Sequence, residues 1–198
     1  MRKGLVRLAV AALAAAALLA GCTTGDDGGP VAGDEVPDAG YQAGDGTFTS
    51  WAEGERSAAV EADGTTFEGE AVDLADWRGD VVVLNFWYAA CPPCRAEARD
   101  LAEISDDYAA DGVRFLGVNG TDDTDTALAF QTTFDVPYPS LDDRDAAVVA
   151  ALEGVVPLRA MPTTVVLDAE GRPAARVIGI ADPTTLRLLI DDVLAEAA

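Results

Sequence analysis

The order of apolar and polar positions predicts a strand, a helix and a second strand in the middle of the chain. Residues 81–87 (VVVLNFW) form a short run rich in β-branched and aromatic side chains, which is typical of a strand buried on both faces. Apolar residues then recur at three- and four-residue spacing, which predicts a helix that begins at or just after Cys91. These positions are Ala98, Leu101, Ile104 and Tyr108. Gly112 is a good end for this helix, and residues 113–118 predict the next buried strand, in parallel with the first.

Two further helices are predicted beyond this unit. Residues 122–124 can cap a helix that runs to Phe134. Residues 142–145 can begin another helix, over residues 146–152. The apolar side chains on these helices are better explained by core packing than by an aromatic binding site.

The C-terminal third predicts a hairpin followed by a helix. Two β-prone runs, residues 165–167 and 176–180, flank a turn at residues 168–172 and therefore predict an antiparallel hairpin. Pro173 is tolerable only at the start or edge of a strand. Asp182 and Pro183 can begin a last helix, whose apolar stripe would cover a face of the sheet. The stripe consists of Leu186, Leu189, Ile190, Val193 and Leu194.

The N-terminal segment has the pattern of an export signal. Residues 1–21 contain three basic residues followed by an Ala/Leu run that ends at Gly21. The sequence LAGC resembles a bacterial lipobox, whose cysteine, here Cys22, becomes the lipidated first residue of the mature protein. An ordinary signal peptide with an incidental cysteine is the alternative.

The remainder of the N-terminal part predicts a tether and a short strand extension. Residues 22–46 are mostly Gly, Asp, Pro and Ala and cannot bury enough apolar surface to become ordered, so we expect a flexible tether. Residues 47–51 and 60–72 contain short β-prone pieces. Residues 73–77 predict a short helical turn, in which Leu74 and Trp77 pack on the core. A single domain over residues 47–198 is therefore expected.

Charge makes one class of partner improbable. Three of the 13 basic residues lie in the predicted signal, so the rest of the chain has ten basic and 35 acidic residues and a formal charge of −25. Nucleic acid is therefore not expected as a partner. The acidic surface could steer basic substrates, but solubility explains it more simply.

Candidate chemistry lies in the sequence Cys91-Pro92-Pro93-Cys94. Prolines fit the first turn of a helix, and the free amides and positive dipole there would stabilise a thiolate on Cys91. Cys94, one turn further, could resolve a mixed disulfide. A structural zinc site would need two more ligands, yet the chain has no histidine and only one other cysteine, Cys22. A permanent disulfide across two residues would stabilise little.

The segment NFWYAACPPCRAE resembles the active site of the TlpA/ResA group of envelope thiol-disulfide oxidoreductases, which have the thioredoxin fold. A second matching segment is Met161-Pro162-Thr163-Thr164, which resembles the cis-proline segment of that group. The resemblance covers residues 60–193. Two positions depart from thioredoxins, in which an acid usually takes the place of Asn85 and a tryptophan that of Ala90.

The resemblance implies a fold, a site and a set of partners. The fold would be a three-layer α/β sandwich with a mixed parallel and antiparallel sheet, covering helices and a short N-terminal strand extension. Catalysis would use Cys91, Cys94 and Glu97, which matches a carboxylate that the group keeps beside the disulfide. Burial near a thiolate would raise the pKa of Glu97 toward the working range. Substrate-binding residues would be Trp87, Pro92, Pro93, Met161, Pro162 and Thr163, and the Met161-Pro162 bond would be cis.

The function implied is a lipid-anchored, extracytoplasmic reductase of disulfides in secreted proteins or apocytochrome c. Electrons would come from a membrane thiol carrier, no cofactor or metal would be needed beyond the disulfide, and the protein would be a monomer. Related CxxC proteins span about −270 to −120 mV, so an oxidase remains open. A peroxiredoxin-like peroxidase would need a threonine three residues before Cys91, and a copper-delivery protein of the Sco type would need CxxxC and a histidine.

Overall fold

The computed structural model describes residues 46–157 and 160–196. The predicted signal, Cys22 and the predicted tether up to residue 45 lie outside the described residues. The strands are β1 (Thr47–Ser50), β2 (Asp63–Thr65), β3 (Ala71–Asp73), β4 (Val81–Phe86), β5 (Val113–Asn119), β6 (Ser140–Asp142), β7 (Thr163–Leu167) and β8 (Pro173–Ile178). The α-helices are α1 (Pro92–Tyr108), α2 (Thr124–Phe134), α3 (Ala147–Ala151) and α4 (Pro183–Glu196), and short 3₁₀ helices cover Glu53–Glu55 and Leu74–Trp77.

Six of these strands form one mixed sheet in the order β1-β8-β7-β4-β5-β6. The strands β4, β5 and β6 run parallel, whereas β7 pairs antiparallel with both β4 and β8, and β1 pairs antiparallel with β8. A separate hairpin consists of β2 and β3. The predicted βαβ unit, the C-terminal hairpin and the N-terminal strand extension are confirmed.

Side chains of the central strand β4 enter a separate core on each face of the sheet. Val81 and Val83 pack with residues of α1 and α4 on one face. Val82, Leu84 and Phe86 pack on the other face, together with residues of α3 and the 3₁₀ helix Leu74–Trp77. All six side chains of β4 are buried, as the apolar run predicts. The sheet is therefore the middle layer of an α/β sandwich.

The structure differs from the sequence prediction in one strand and in several bounds. The strand β6 is not predicted, because its three residues show no apolar alternation and pair with β5 only in the folded chain. The helix predicted over residues 146–152 is α3, which is shorter by one residue at each end. The second strand of the hairpin begins at Pro173, where proline is tolerated, and ends at Ile178. None of the helices in the described part of the chain is long and apolar enough to cross a lipid bilayer.

Candidate active site

The connection between β4 and α1 carries the two cysteines. Cys91 is the N-cap residue of α1, and Pro92 and Pro93 occupy its first two positions. Proline is tolerated there because the first amides of a helix have no partner within the helix. The helix therefore begins directly after Cys91, as predicted.

A disulfide joins Cys91 to Cys94, with their Cα atoms 5.3 Å apart. The backbone N–H of Cys94 donates a hydrogen bond to Sγ of Cys91, over 3.2 Å. The Cys91 sulfur thus faces the free amides and the positive end of the dipole of α1. In the reduced protein the same contacts would stabilise a thiolate on Cys91, which is the form that attacks disulfides.

Both cysteines are buried in the disulfide form, with 0% of Cys91 and 2% of Cys94 exposed. The residues that flank Cys91 in the chain, Ala90 and Pro92, are exposed, and Pro93 is half-buried. Ala90 and Pro92 are therefore the solvent-facing neighbours of Cys91 in the chain. The contact of Pro92 with substrate stays a prediction.

Trp87 supports the disulfide region from within the protein. Its ring stacks on Phe130 of α2 with 4.2 Å between the centroids, and its Nε1–H donates to Oγ of Ser140 over 3.3 Å. Trp87 packs in one cluster with both cysteines. Only 4% of the residue is exposed, so its position favours packing and does not favour the predicted contact with substrate.

Gly117 of β5 makes room for this arrangement. A Cβ atom at Gly117 would lie 2.1 Å from Oγ of Ser140 and 2.7 Å from Nε1 of Trp87. Ser140 and Trp87 are both buried, so an added methyl group at Gly117 would force at least one of these side chains to shift. We therefore expect Gly117→Ala to lower the free energy of unfolding by about 1–3 kcal/mol, measured by urea denaturation.

Gly54 provides the matched control for this substitution. A Cβ atom at Gly54 would meet no other atom within 4 Å, so Gly54→Ala should leave the free energy of unfolding nearly unchanged. An equal loss of stability in both variants would show that the contact of Gly117 with Trp87 is not the cause.

Glu97 is a buried carboxyl group one turn along α1 from Cys94. It is 1% exposed, and its oxygens accept hydrogen bonds from Nδ2 of Asn85 over 3.0 Å and from the backbone N–H of Ala181 over 2.9 Å. Burial raises the pKa of Glu97 to about 7; the two hydrogen bonds oppose the shift, and the charge of Asp100 adds to it. The group therefore titrates near neutral pH, as predicted from the sequence.

Asn85 connects Glu97 to the middle of the sheet. Its Nδ2 group also donates to Oγ1 of Thr164 in β7 over 3.3 Å. Asn85 and Cys94 both line a narrow crevice of about 10 Å³, which is room for about one water molecule. Tyr138 lines the same crevice, and the pKa of this tyrosine is raised by burial and by the charge of Glu97. Asn85, which stands where thioredoxins usually have an acid, thus donates a hydrogen bond to Glu97, the acid that α1 supplies.

The peptide bond between Met161 and Pro162 is cis, which confirms that prediction. The carbonyl oxygen of Pro162 accepts a hydrogen bond from the N–H of Gly179 over 2.8 Å. Met161 is half-buried and packs against the cluster that contains both cysteines. Thr163 is fully buried, and its hydroxyl donates to the carbonyl of Ala160 over 2.7 Å, so its side chain is occupied within the protein and does not favour the predicted contact with substrate.

A comparison with protein families agrees with this geometry. The sequence profile of the AhpC/TSA family matches residues 55–173, which are more than half of the chain. The chain belongs to the AhpC/TSA family. Curated proteins that this AhpC/TSA-family chain matches include thiol-disulfide oxidoreductase ResA of Bacillus thuringiensis subsp. konkukian, with 31% identity over 116 residues. That match covers 58% of this chain and 64% of ResA, which is less than two thirds of the relative's length.

Solved structures of similar proteins show the same fold. A DsbF homologue from Corynebacterium diphtheriae is 32% identical, and the match covers 77% of this chain and 96% of that protein with a TM-score of 0.65. A secreted thiol-disulfide isomerase from Corynebacterium glutamicum is 29% identical, with 80% and 98% covered and a TM-score of 0.67. The predicted thioredoxin-like sandwich and the resemblance to the ResA group are confirmed.

Sequence reasoning missed three partners that complete the site of this AhpC/TSA-family protein. Asn85 bonds to Glu97, Ser140 bonds to Trp87, and the amide of Ala181 bonds to Glu97. Of these three, only Asn85 could have been noticed from the sequence, because it is the single polar residue in an otherwise apolar strand. Cys22, the predicted lipidation site, lies outside the described residues.

Proposed function

We propose that this protein is a thiol-disulfide oxidoreductase in which Cys91 is the nucleophile and Cys94 the resolving thiol. The proposal depends on one observation, the hydrogen bond from the N–H of Cys94 to Sγ of Cys91. This contact puts the Cys91 sulfur where a helix stabilises a thiolate. A structural role does not explain the pair, because a disulfide across two residues closes too small a loop to stabilise the fold much.

The reaction transfers two electrons to a protein disulfide. The Cys91 thiolate attacks one sulfur of the substrate disulfide, a mixed disulfide forms, and the other substrate sulfur leaves as a thiolate. Cys94 then loses its proton and attacks the Cys91 sulfur, which releases the second substrate thiolate and leaves the Cys91–Cys94 disulfide. Met161 and Pro162 border the substrate groove, and the disulfide itself is the only redox group required.

The direction we propose is reduction of disulfides in secreted proteins or apocytochrome c, with a membrane thiol carrier that restores the dithiol. Reduction of insulin by the purified protein with dithiothreitol tests the activity. The reduction potential of the Cys91/Cys94 couple, measured against glutathione buffers, tests the direction. A value of about −270 mV supports a reductase, whereas a value of about −120 mV indicates an oxidase.

A peroxidase is the second activity to separate, because members of one fold can differ in chemistry. Tyr88 is three residues before Cys91, at the position where the peroxidase pattern has threonine. A peroxide-consumption assay with the reduced protein decides between the two. The non-enzyme alternative is a copper-delivery protein. The described residues include no group of three or more Cys, Asp or Glu side chains placed to hold a metal ion.

We also propose that the mature protein is extracytoplasmic and lipid-anchored through Cys22. The basic residues, apolar run and LAGC sequence at the N-terminus support this location, and the relative from Corynebacterium glutamicum is named as secreted. Mass analysis of the membrane fraction should find a lipid-modified N-terminus at Cys22. Cys22→Ser should release the protein from the membrane and leave disulfide exchange unchanged. A mature protein that begins elsewhere and is secreted freely would contradict the anchor.

A further inference from the structure

The loop that presents Cys91 is held at Ala89 by two charged side chains. Ala89 lies between β4 and α1, two residues before Cys91. Its N–H donates to Oδ2 of Asp122 over 2.6 Å, and its carbonyl accepts from Nη1 of Arg95 over 3.2 Å. Both backbone polar groups of one loop residue are thus bonded to ionised side chains, and such bonds are stronger than neutral ones.

Asp122 is itself fixed to the sheet. The same oxygen of Asp122 accepts a hydrogen bond from Nδ2 of Asn119, over 2.8 Å. Asn119 is the last residue of β5 and is fully buried. Its Oδ1 accepts from the N–H groups of Thr121 and Asp122, over 2.9 and 3.0 Å. The end of β5 therefore determines where the Asp122 carboxylate lies.

A simpler role for Asp122, as the cap of α2, does not fit the structure. Residue Asp123 is the N-cap of α2, and its Oδ1 accepts from the N–H of Thr126 over 2.9 Å. The sequence allowed any of residues 122–124 to be the cap. Because Asp123 takes that role, the contacts of Asp122 serve the loop that leads to Cys91.

The loop contact is close enough to affect the cysteine. Consecutive Cα atoms are about 3.8 Å apart, so the Cα of Cys91 is at most about 7.6 Å from that of Ala89. The N–H of Cys91 donates to the carbonyl of Tyr88 over 3.1 Å, which fixes the part of the loop between the two positions. A shift of Ala89 therefore moves Cys91 relative to the first amides of α1.

We propose that Asp122 is a positioning residue of the exchange site, which, oriented by Asn119, holds the amide of Ala89 and so keeps the Cys91 sulfur at the N-terminus of α1. Arg95 holds the other side of Ala89, and its guanidinium is steadied by the ring of Phe134, 4.9 Å from the ring centroid. This inference rests on the proposed function, because positioning Cys91 matters only if its thiol reacts.

Two substitutions at Asp122 separate positioning from charge. Asp122→Ala removes the acceptor, whereas Asp122→Asn keeps an oxygen that can accept both existing hydrogen bonds. We expect Asp122→Ala to slow alkylation of Cys91 by iodoacetamide in the reduced protein about tenfold, the effect of losing a charge-assisted hydrogen bond. Asp122→Asn should restore the rate to within about twofold of the unsubstituted protein.

Asp125→Asn is the matched control, since it removes the same charge. Asp125 is an exposed residue in the first turn of α2, and no hydrogen bond joins its side chain to the described loop residues 87–91. This variant should react at the unsubstituted rate. Unfolding midpoints are measured for all variants, so that every rate is taken where each protein is folded.

Two results would overturn the proposal. One is an alkylation rate in Asp122→Ala that stays within twofold of the unsubstituted protein. The other is an equal loss in Asp122→Ala and Asp122→Asn, which would show that the charge of Asp122 matters and its hydrogen bond does not. Alkylation needs no disulfide substrate, so a protein that fails to reduce insulin would disprove the proposed function and still give an answer on Asp122.

Discussion

Cys94→Ser is expected to abolish turnover and to accumulate a mixed disulfide between Cys91 and its substrate. The attacking thiol remains in this variant, but the thiol that would release the substrate is gone. Cys91→Ser is also expected to abolish turnover, because no nucleophile remains at the N-cap of α1. In that variant little mixed disulfide should form, since Cys94 lies within the helix and not at its N-cap.

The measurement is non-reducing electrophoresis with mass analysis after each reduced variant is mixed with a disulfide-containing protein. Cys22→Ser in the same background is the control, and it should not change the amount of trapped complex. Equal trapping by the two active-site variants would contradict the assignment. Faster alkylation of Cys94 than of Cys91 in the reduced protein would show that the two roles are reversed.

Exposure alone does not distinguish the two cysteines, since both are buried in the disulfide form. Their positions on α1 do distinguish them. Cys91 precedes the first helical residue and receives the amide hydrogen of Cys94, whereas Cys94 is the third residue of the helix. Only Cys91 therefore lies where the free amides and the dipole of the helix stabilise a negative charge.

The fold could be predicted where the sequence carries a local pattern. The buried strand β4, the helix after Cys91 and the C-terminal hairpin each depend on residues that are close together in the chain. The strand β6 lacks such a pattern, because its pairing with Gly117, Val118 and Asn119 of β5 exists only after the chain has folded. Short strands with polar residues are therefore missed.

The candidate site shows the same limit. The sequence places Cys91, Cys94 and Glu97 on one short stretch of helix, and the resemblance to the TlpA/ResA group predicts Glu97 as part of the site. The partners of Glu97 come from β4 and from Ala181, which is 84 residues away in the chain. Contacts of this kind depend on tertiary packing and leave no trace in local spacing. The support of Trp87 by Ser140 is a second example.

Glu97→Gln is expected to slow disulfide exchange by about 100-fold at neutral pH, the usual effect of losing a proton acceptor. In the resolving step Cys94 must lose its proton, and Glu97 is the buried acid one turn away on the same helix. Only the carboxylate can accept that proton. Because burial holds the pKa of Glu97 at about 7, the rate of the unsubstituted protein should rise as the pH increases through that value.

The same group makes stability depend on pH, with a sign that can be checked. The pKa of Glu97 in the folded protein is about 7, above the ordinary value of 4.5, so the folded protein keeps this proton where the unfolded chain has lost it. The free energy of unfolding should therefore fall as the pH rises from about 4.5 to 7, by about 3 kcal/mol in total. Glutamine does not titrate, so Glu97→Gln should lack this part of the slope.

Glu103→Gln is the matched control, because Glu103 lies on the same helix with 75% of its side chain exposed. It should alter neither the rate nor the pH dependence.

In Glu97→Gln, Asn85 can turn its amide so that its oxygen accepts from the new side chain, which leaves the fold intact. Rates are measured from pH 5 to 9 with a single disulfide substrate, next to urea denaturation at each pH. An unchanged rate profile in Glu97→Gln, in a protein that is folded throughout, would show that another group takes the proton from Cys94.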